Sequence, residues 1–311
     1  MGFVFLIIFT IISLFFAVSY VNHRVQLSKE DMMVRPIGTP VEVNGSMMNV
    51  YTEGTGNKTL VFLSGGGTCS PVLDFKSLYS QLSDTYRVAV VEKAGYGFSE
   101  ITKSSRDIDT ILSETRQALA LAGVYAPYVL CPHSMSGIEA LYWAQKYPDE
   151  ALAIIGLDMS VPQAYENYKI NMTVIKLCAF AVNTGITRWF PGLVESDAVK
   201  HGALSEEEKE IYMAVFYRRM VTGNMLNEIT KIKTNAQYVA SGGIPDIPIL
   251  MFASNGTGTG WEETEWRGFQ SEFINYTQNG TLVELGCSHY IHNIENKAIA
   301  YSIDHWLQDF E

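Results

Sequence analysis

Strand-length runs of apolar residues recur along the middle of the chain, separated by stretches with helical spacing. The runs are TLVFL, YRVAVVE, PYVLCP and ALAIIGLD, and IPILMFAS and TLVELG follow near the C-terminus. Between two of them, SRDIDTILSETRQALALAGV has the spacing of an amphipathic helix. Strands that are apolar at nearly every position are buried on both faces. The pattern therefore predicts an α/β fold with a mostly parallel sheet covered by helices on both faces.

A hairpin precedes these strands, and a long insertion interrupts them. VEVNGSMMNVYTEG predicts two strands joined by a turn at Asn44 and Gly45. Between residues 160 and 243 helical stretches such as EEEKEIYMAVFYRRM replace the apolar runs. The strand pattern then resumes, and NKAIAYSIDHWLQDF predicts a closing helix. We therefore predict an α/β core at residues 41–159 and 244–311, with a helical lid inserted at residues 160–243.

The chain begins with an uncharged apolar segment. Residues 2–21, GFVFLIIFTIISLFFAVSYV, contain no Asp, Glu, Lys or Arg. About twenty apolar residues are enough for a helix to cross the hydrocarbon core of a bilayer. We predict a transmembrane helix at residues 1–22, which makes the membrane a partner of the protein. A connecting segment at residues 23–40 would join this helix to the core.

The charges around the apolar segment predict its orientation. No Lys or Arg precedes it, whereas Arg24, Lys29 and Arg35 follow it. By the positive-inside rule, the large domain lies in the cytoplasm. A cleaved signal peptide is the alternative, because Ala17-Val18-Ser19 resembles a weak cleavage site. Such peptides normally have a basic start and a shorter apolar stretch.

Composition narrows the choice of partners. Of the 311 residues, 47% are hydrophobic and 18% are charged, which is typical of a globular protein. The formal net charge of −11 argues against nucleic acid, which selects for clustered Lys and Arg. Four cysteines, at positions 69, 131, 178 and 287, lack metal-ligand spacing. We expect four reduced thiols, and neither a metal ion nor an organic cofactor.

The segment VLCPHSMSGIEALYWAQKYP, residues 129–148, places a serine at a sharp corner between a strand and a helix. This context is typical of a nucleophile elbow, which strains the serine backbone and lifts its hydroxyl clear of the sheet. The usual form of the motif is Gly-x-Ser-x-Gly. Around Ser134, Pro132 and Ser136 occupy the two glycine positions. An ordinary helix N-cap serine is the alternative.

Two further loops fit the same chemistry. FLSGGGTCSP follows an earlier strand, and its glycines allow a backbone N–H to approach a developing negative charge. A phosphate-binding loop would instead carry Lys-Ser or Lys-Thr after the glycines, where Thr68 and Cys69 stand. LGCSHYIHNIE places His289 after the last strand, 155 residues beyond Ser134. This is the chain order that a serine nucleophile and its base require.

Together these motifs resemble those of an α/β-hydrolase with a lid domain, and the likeness covers about residues 45–310. EKAGYGFS resembles the family's Asp-x-Pro-Gly-x-Gly-x-Ser turn, HSMSG its His-Ser-Met-Gly-Gly elbow, and GCSHYIHNIE its Gly-x-Gly-His-x-x-His-x-Glu ending. The resemblance implies that Ser134 is the nucleophile and His289 the general base. It also implies an oxyanion hole formed by the amides of Met135 and Gly66, because Ser64-Gly65-Gly66 matches the family's His-Gly-x.

The acid that would orient His289 stays open at this stage. In most relatives it follows the strand after the lid, and here that stretch is FASNGTGTGWEE, with neutral Asn255 at the expected place. Some members take the acid from the end of the strand before the lid, where IIGLDMSVP carries Asp158. We favour Asp158, with Glu262 and Glu263 as the alternatives.

The motifs indicate hydrolysis of a small carboxylic ester or amide through an acyl-serine intermediate. Three alternatives remain: a proline-iminopeptidase-like aminopeptidase that uses the acidic lid stretch SEEEKE, a non-catalytic binding protein of the same fold, and cofactor-free haloperoxidase-type chemistry. Dehalogenase and epoxide hydrolase activities are not expected, because those relatives have an aspartate nucleophile. Apolar lid stretches such as VIKLCAFAV favour small acyl or lipid-like esters.

Overall fold

The computed structural model describes residues 2–193 and 195–308, and an eight-stranded sheet forms its centre. The sheet order is β1-β2-β4-β3-β5-β6-β7-β8; β1 and β4 each pair antiparallel with β2, and all other neighbours are parallel. The bounds are β1 Thr39–Val43, β2 Ser46–Glu53, β3 Thr59–Leu63, β4 Arg87–Glu92, β5 Tyr128–Pro132, β6 Ala151–Leu157, β7 Ile249–Ala253 and β8 Gly280–Glu284.

The antiparallel edge begins with the predicted hairpin. Asn44 and Gly45 have φ values of 51° and 78°, so both adopt the left-handed conformation that a type I′ turn requires. This turn brings β1 and β2 into register from Thr39 opposite Val50 to Val43 opposite Ser46.

Twelve α-helices are found in the described residues, and those of the core cover both faces of the sheet. Their bounds are α1 Gly2–Glu30, α2 Pro71–Asp74, α3 Lys76–Leu82, α4 Ile108–Leu121, α5 Gly137–Lys146, α6 Met172–Asn183, α7 Asp197–Lys200, α8 Glu206–Arg219, α9 Gly223–Ser241, α10 Glu263–Asn275, α11 Ile291–Ile294 and α12 Asn296–Gln308. Because β3 is buried at every position, Val61 packs in the cluster that contains α4 and α5, and Phe62 packs in the opposite cluster with α3 and α12.

Helices α6 to α9 lie between β6 and β7, within the predicted insertion at residues 160–243, which we call the inserted segment. The described residues of this segment contain helices and turns but no strand. The predicted closing helix appears as α12 up to Gln308, and its last predicted residues, 309 and 310, lie outside the described residues.

Helix α1 is longer than the sequence pattern predicts. It does not end near residue 22 but continues to Glu30, through the first part of the predicted connecting segment. Of the helices in the described residues, it is the one that is long and apolar enough to cross a membrane. Its apolar part is exposed, whereas Ser19 and His23 are buried against the inserted segment.

Candidate active site

The corner after β5 holds Ser134 in a strained conformation. Its φ is 54°, in the left-handed region that a residue with a Cβ rarely adopts. Neighbouring glycines make room for the corner. A Cβ on Gly137 would lie 2.2 Å from the carbonyl oxygen of Ser160, and one on Gly65 would lie 2.7 Å from the Cβ of Ser134. The chain therefore turns from strand to helix with its backbones in close contact, as the elbow motif predicts.

Ser136, which replaces the second glycine of the motif, fits this corner through its hydrogen bonds. Its hydroxyl donates to the carbonyl oxygens of Leu63 at 2.6 Å and His133 at 2.8 Å. The hydroxyl therefore ties the elbow to the end of β3 and satisfies a buried polar group.

Three side chains form a hydrogen-bonded series at the carboxyl edge of the sheet. His289 Nε2 lies 2.7 Å from Ser134 Oγ, and His289 Nδ1 lies 2.5 Å from Asp158 Oδ2. A carboxylate can only accept, so Nδ1 carries the ring proton and donates it to Asp158. Nε2 is then free to accept a hydrogen bond from the hydroxyl of Ser134.

Asp158 follows β6 and is fully buried. Its Oδ1 accepts hydrogen bonds from the Ser254 amide at 2.7 Å, the Trp266 indole at 2.7 Å and the Gln270 side chain at 3.3 Å. Burial by itself would raise the pKa of this carboxyl, but the hydrogen bond and charge of His289 and the hydrogen bonds from Ser254 outweigh burial and lower the pKa. Asp158 is therefore ionised at neutral pH.

The other residues that the sequence offered as partners of His289 lie elsewhere or make other contacts. Asn255 Oδ1 accepts from the amide of Thr257 at 3.1 Å. Glu262 is the exposed residue before α10, and Glu263 pairs with Arg267 at 2.5 Å. Of the four residues considered from the sequence, Asp158 is the one that the structure brings to the histidine.

The two predicted oxyanion residues lie beside Ser134. A Cβ on Gly66 would lie 2.9 Å from Met135 Cε, and both residues line the same cavity as Ser134. Within residues 2–193 and 195–308 no hydrogen bond uses the Gly66 amide. Met135 lies in the first turn of the short 3₁₀ helix Ser134–Ser136, where N–H groups have no partner within the helix.

His133 holds the backbone of the His289 loop, a role that motif matching did not predict. Its Nε2 donates to the His289 carbonyl at 3.1 Å, and the two rings lie 4.6 Å apart. Burial lowers the pKa of His133 well below its usual value, and the nearby charges of His289 and His292 lower it further. A neutral ring at this place leaves Asp158 as the charged partner of His289.

The sequence motifs also did not predict Trp266 and Gln270 as partners of Asp158. These residues lie one turn apart on one face of α10, and both donate to Asp158. Their polar groups are buried, and a buried indole N–H usually has a partner. A search for apolar helix faces that carry a lone polar atom could have found them.

A second buried charge cluster joins the inserted segment to the core. The ammonium group of Lys93, in the turn after β4, contacts the carboxylate of Glu228 on α9 and lies 3.9 Å from that of Glu139. Glu92, at the preceding position, accepts from the amides of Phe98 at 2.7 Å and Val72 at 3.3 Å. Glu92, which stands where the family's turn has Asp, is therefore accommodated by local hydrogen bonds.

A cavity of about 550 Å³ opens over Ser134 and His289. Its walls are aromatic and aliphatic, and Lys169 is the one Lys, Arg, Asp or Glu among the described residues that line it. No Asp or Glu is among them. The lining includes Tyr165, Tyr168, Ile170, Val174, Ile175, Ile229, Ile232, Trp261 and Trp266.

Comparison with known proteins gives a sequence relative and a set of fold neighbours, but no protein-family model matches the chain. Uncharacterized protein YbdG from Bacillus subtilis (strain 168) is 41% identical over 237 residues, which cover 75% of this chain and 73% of YbdG. Cfl2 from Burkholderia cenocepacia has a TM-score of 0.69 at 15% identity, covering 86% of this chain and 94% of Cfl2. An epoxide hydrolase from Vigna radiata has a TM-score of 0.67 at 19% identity, covering 87% and 97%. At these identities the solved structures establish the fold alone.

Proposed function

Since the chain has the α/β-hydrolase fold and belongs to one family with YbdG, we propose that it is a serine hydrolase of small carboxylic esters. The observation that carries the proposal is the series Ser134–His289–Asp158, with distances of 2.7 and 2.5 Å. Every donor and acceptor in this series is oriented as acyl transfer requires. A purely structural serine would not need a histidine and a buried carboxylate behind it.

The steps of the reaction follow from this geometry. His289 Nε2 takes the proton of the Ser134 hydroxyl while the serine oxygen attacks the ester carbonyl. The amides of Met135 and Gly66 stabilise the oxyanion, and Asp158 stabilises the imidazolium. His289 then gives its proton to the leaving alcohol. Water, activated by the same ring, hydrolyses the acyl-serine and releases the acid.

The cavity lining favours esters over the substrates of an aminopeptidase. An aminopeptidase must bind a protonated amine, which calls for a carboxylate near the nucleophile. The described residues that line the cavity include none. The acidic stretch of the inserted segment instead starts α8, where Ser205 and Glu208 form a capping box and Glu208 pairs with Lys76. Apolar walls suit the acyl or alcohol part of an ester.

We also propose that α1 is a retained membrane anchor, with the hydrolase domain in the cytoplasm. Cleavage near Tyr20 would separate Ser19 from Thr184, whose carbonyl accepts from the Ser19 hydroxyl at 2.9 Å. Sequencing the N-terminus of the membrane-bound protein tests retention, and a start near Tyr20 would indicate a signal peptide. Protease added outside intact cells should leave the domain undigested. Digestion of the domain would show that it lies outside the cell.

Labelling by a fluorophosphonate probe tests the nucleophile. We expect the wild-type chain to react and Ser134→Ala to be inert. The matched control is Ser136→Ala, which removes a hydroxyl from the same corner and should leave labelling in place. Labelling of Ser134→Ala would overturn the assignment of the nucleophile, and no labelling of the folded wild-type chain would favour a binding protein.

A substrate series then tests the ester preference. The wild-type chain is assayed on p-nitrophenyl esters of increasing acyl length and on aminoacyl amides. We expect turnover of the esters and little of the amides. A strict preference for the amides would favour the aminopeptidase instead.

A further inference from the structure

Helix α6 and the turn after it expose an apolar surface. Its members are between 49% and 62% exposed, and we call them the α6 face: Val174, Leu177, Phe180, Trp189 and Phe190. With twelve residues, α6 is about 18 Å long, too short to cross a bilayer. An apolar patch of several neighbouring large side chains on a globular surface marks an interaction site.

The α6 face is continuous with the apolar helix α1. The ring of Phe180 lies 5.7 Å from that of Phe16, and the ring of Trp189 lies 5.9 Å from that of Phe15. The indole of Trp189 also donates to the Ser19 hydroxyl at 3.2 Å. A membrane that surrounds α1 at this level therefore also meets the α6 face.

The contacts set the depth of this face relative to the apolar segment. Phe15 and Phe16 precede Val21, the last residue of that segment, by six and five positions. At 1.5 Å per residue they lie about 8 Å inside it. Amphipathic helices that lie in the membrane interface are buried to about 5–10 Å. Arg188 instead pairs with Glu30, which lies beyond the C-terminal end of the apolar segment. The apolar contacts of the α6 face are therefore at the level of the lipid, and the charged contact is on the aqueous side.

The local charge also fits a membrane surface. Residues 167–193 carry Lys169, Lys176 and Arg188 and no Asp or Glu, in a chain whose formal net charge is −11. Lys169 and Lys176 are exposed, and Lys176 is on α6 itself. Basic side chains beside an apolar helix face are the usual partners of anionic headgroups.

Residues at the other end of the same helix line the cavity. Val174 and Ile175 line the cavity, and Val174 is also part of the α6 face. Phe180 is six residues further along α6, about 9 Å away along the helix axis. Exposed Lys169 lines the cavity just before the helix.

We propose that the α6 face docks in the interface of the bilayer that α1 spans, so that the cavity opens onto the membrane and receives its ester from the lipid phase. The docking stands on the contacts and charges of α1 and α6. The route of the ester rests in addition on the proposed hydrolase function. The substrate class is then an acyl ester that partitions into membranes.

Cys178 supplies a probe of docking, because it is exposed on α6 between Leu177 and Phe180, whereas the other three cysteines are buried. The full chain is reconstituted in vesicles of phosphatidylcholine and phosphatidylglycerol and labelled at Cys178 with an environment-sensitive fluorophore. We expect strong quenching by doxyl-labelled lipids and weak quenching by aqueous iodide. The control carries the label at Tyr125→Cys in a Cys178→Ser background. Tyr125 is exposed and lies just before the amino end of β5, whereas the candidate site is at the carboxyl ends of the strands. This control should show the reverse.

A matched pair of substitutions tests what the docking does. Leu177→Glu puts a charge on the α6 face without altering the cavity lining, and Leu121→Glu makes the same change at an exposed position on α4. Since burial of a leucine side chain is lost and a charge must stay in water, we expect Leu177→Glu to raise the KM for a vesicle-dispersed long-chain ester by about tenfold or more. The KM for a short water-soluble ester should not change. Leu121→Glu should leave both constants unchanged.

The outcomes separate the two parts of the proposal. Quenching of the Cys178 label by iodide but not by lipid overturns the docking. Protection of the label from both quenchers, together with a cross-linked dimer, also overturns it and assigns the α6 face to a second copy of the chain. An equal effect of Leu177→Glu on both esters overturns the lipid route. If the label is quenched by lipid but no ester is hydrolysed, the docking stands and the proposed function fails.

Discussion

Asp158→Asn exchanges one oxygen for an NH₂ group in the side chain that holds His289, and the surrounding hydrogen bonds determine how the new amide sits. Oδ1 of Asp158 faces three donors, from Ser254, Trp266 and Gln270. An NH₂ group cannot replace an oxygen there, because donors would face donors. The amide oxygen therefore stays with these three groups, and the NH₂ group faces the imidazole.

This placement reverses the tautomer of the ring. With an NH₂ group at the position of Oδ2, His289 Nδ1 must accept, so the ring proton moves to Nε2. Nε2–H then donates to Ser134 and cannot take its proton. In serine proteases the equivalent substitution lowers kcat by about 10⁴ through the wrong tautomer. We expect a loss of about the same size, or about 5 kcal/mol of activation free energy.

The assay is kcat on the best p-nitrophenyl ester, with thermal unfolding measured on the same samples. Asp74→Asn is the matched control, because Asp74 Oδ2 lies 2.8 Å from His292 Nε2 in a second buried carboxylate–histidine pair. That pair does not touch Ser134, so kcat of the folded control should stay within about tenfold of the wild type. Two results refute the reasoning: a folded Asp158→Asn variant with more than a tenth of wild-type kcat, or an equal loss in Asp74→Asn.

Three further substitutions test the surroundings of the site. Gly65→Ala places a Cβ 2.7 Å from that of Ser134, so kcat should fall by about 10². The control Gly268→Ala places its Cβ in open space and should keep the wild-type kcat. Equal kcat values for the two variants would contradict the prediction. Burial raises the pKa of Glu92 from its usual 4.5 to about 7. Because the folded state then holds this proton more tightly than the unfolded state, the free energy of unfolding should decline from pH 4.5 to 7. Glu92→Gln should remove this part of the pH dependence. Glu228→Ala leaves Lys93 buried without its nearest carboxylate, so the free energy of unfolding measured in urea should fall by about 3 kcal/mol. The double variant Lys93→Met with Glu228→Leu, which removes both charges, should lower it less.

Patterns that are local in the chain could be predicted from the sequence. Strands β3 and β5 are buried at every position, so an unbroken apolar run was enough to identify them. Ser134 could be located because its strand, corner and helix are contiguous in the chain. The closeness of Gly65 and Gly137 to this corner agrees with the small residues that the motif expects.

The end of α1 could not be predicted in the same way. The apolar pattern ends at Val21, but the helix continues to Glu30. Arg188 donates to Glu30 at 2.6 Å and 2.8 Å and to His23 at 3.0 Å, across about 160 residues of chain. Such contacts stabilise helical residues whose own sequence has no marked helical pattern, because tertiary packing outweighs local propensity.

The partner of His289 depended on tertiary structure alone. Asp158 ends one predicted strand, and Glu262 and Glu263 follow the next predicted strand by eight and nine residues; either position can carry the acid, so local sequence left the choice open. The sheet places β6 and β7 side by side, which brings Asp158 to the imidazole, while Glu263 is held by Arg267 on the surface. A buried carboxylate also needs donors for its second oxygen, and those come from Trp266 and Gln270, more than 100 residues away. Which acid can be ionised and directed at the ring is therefore decided by groups that meet only when the chain is folded.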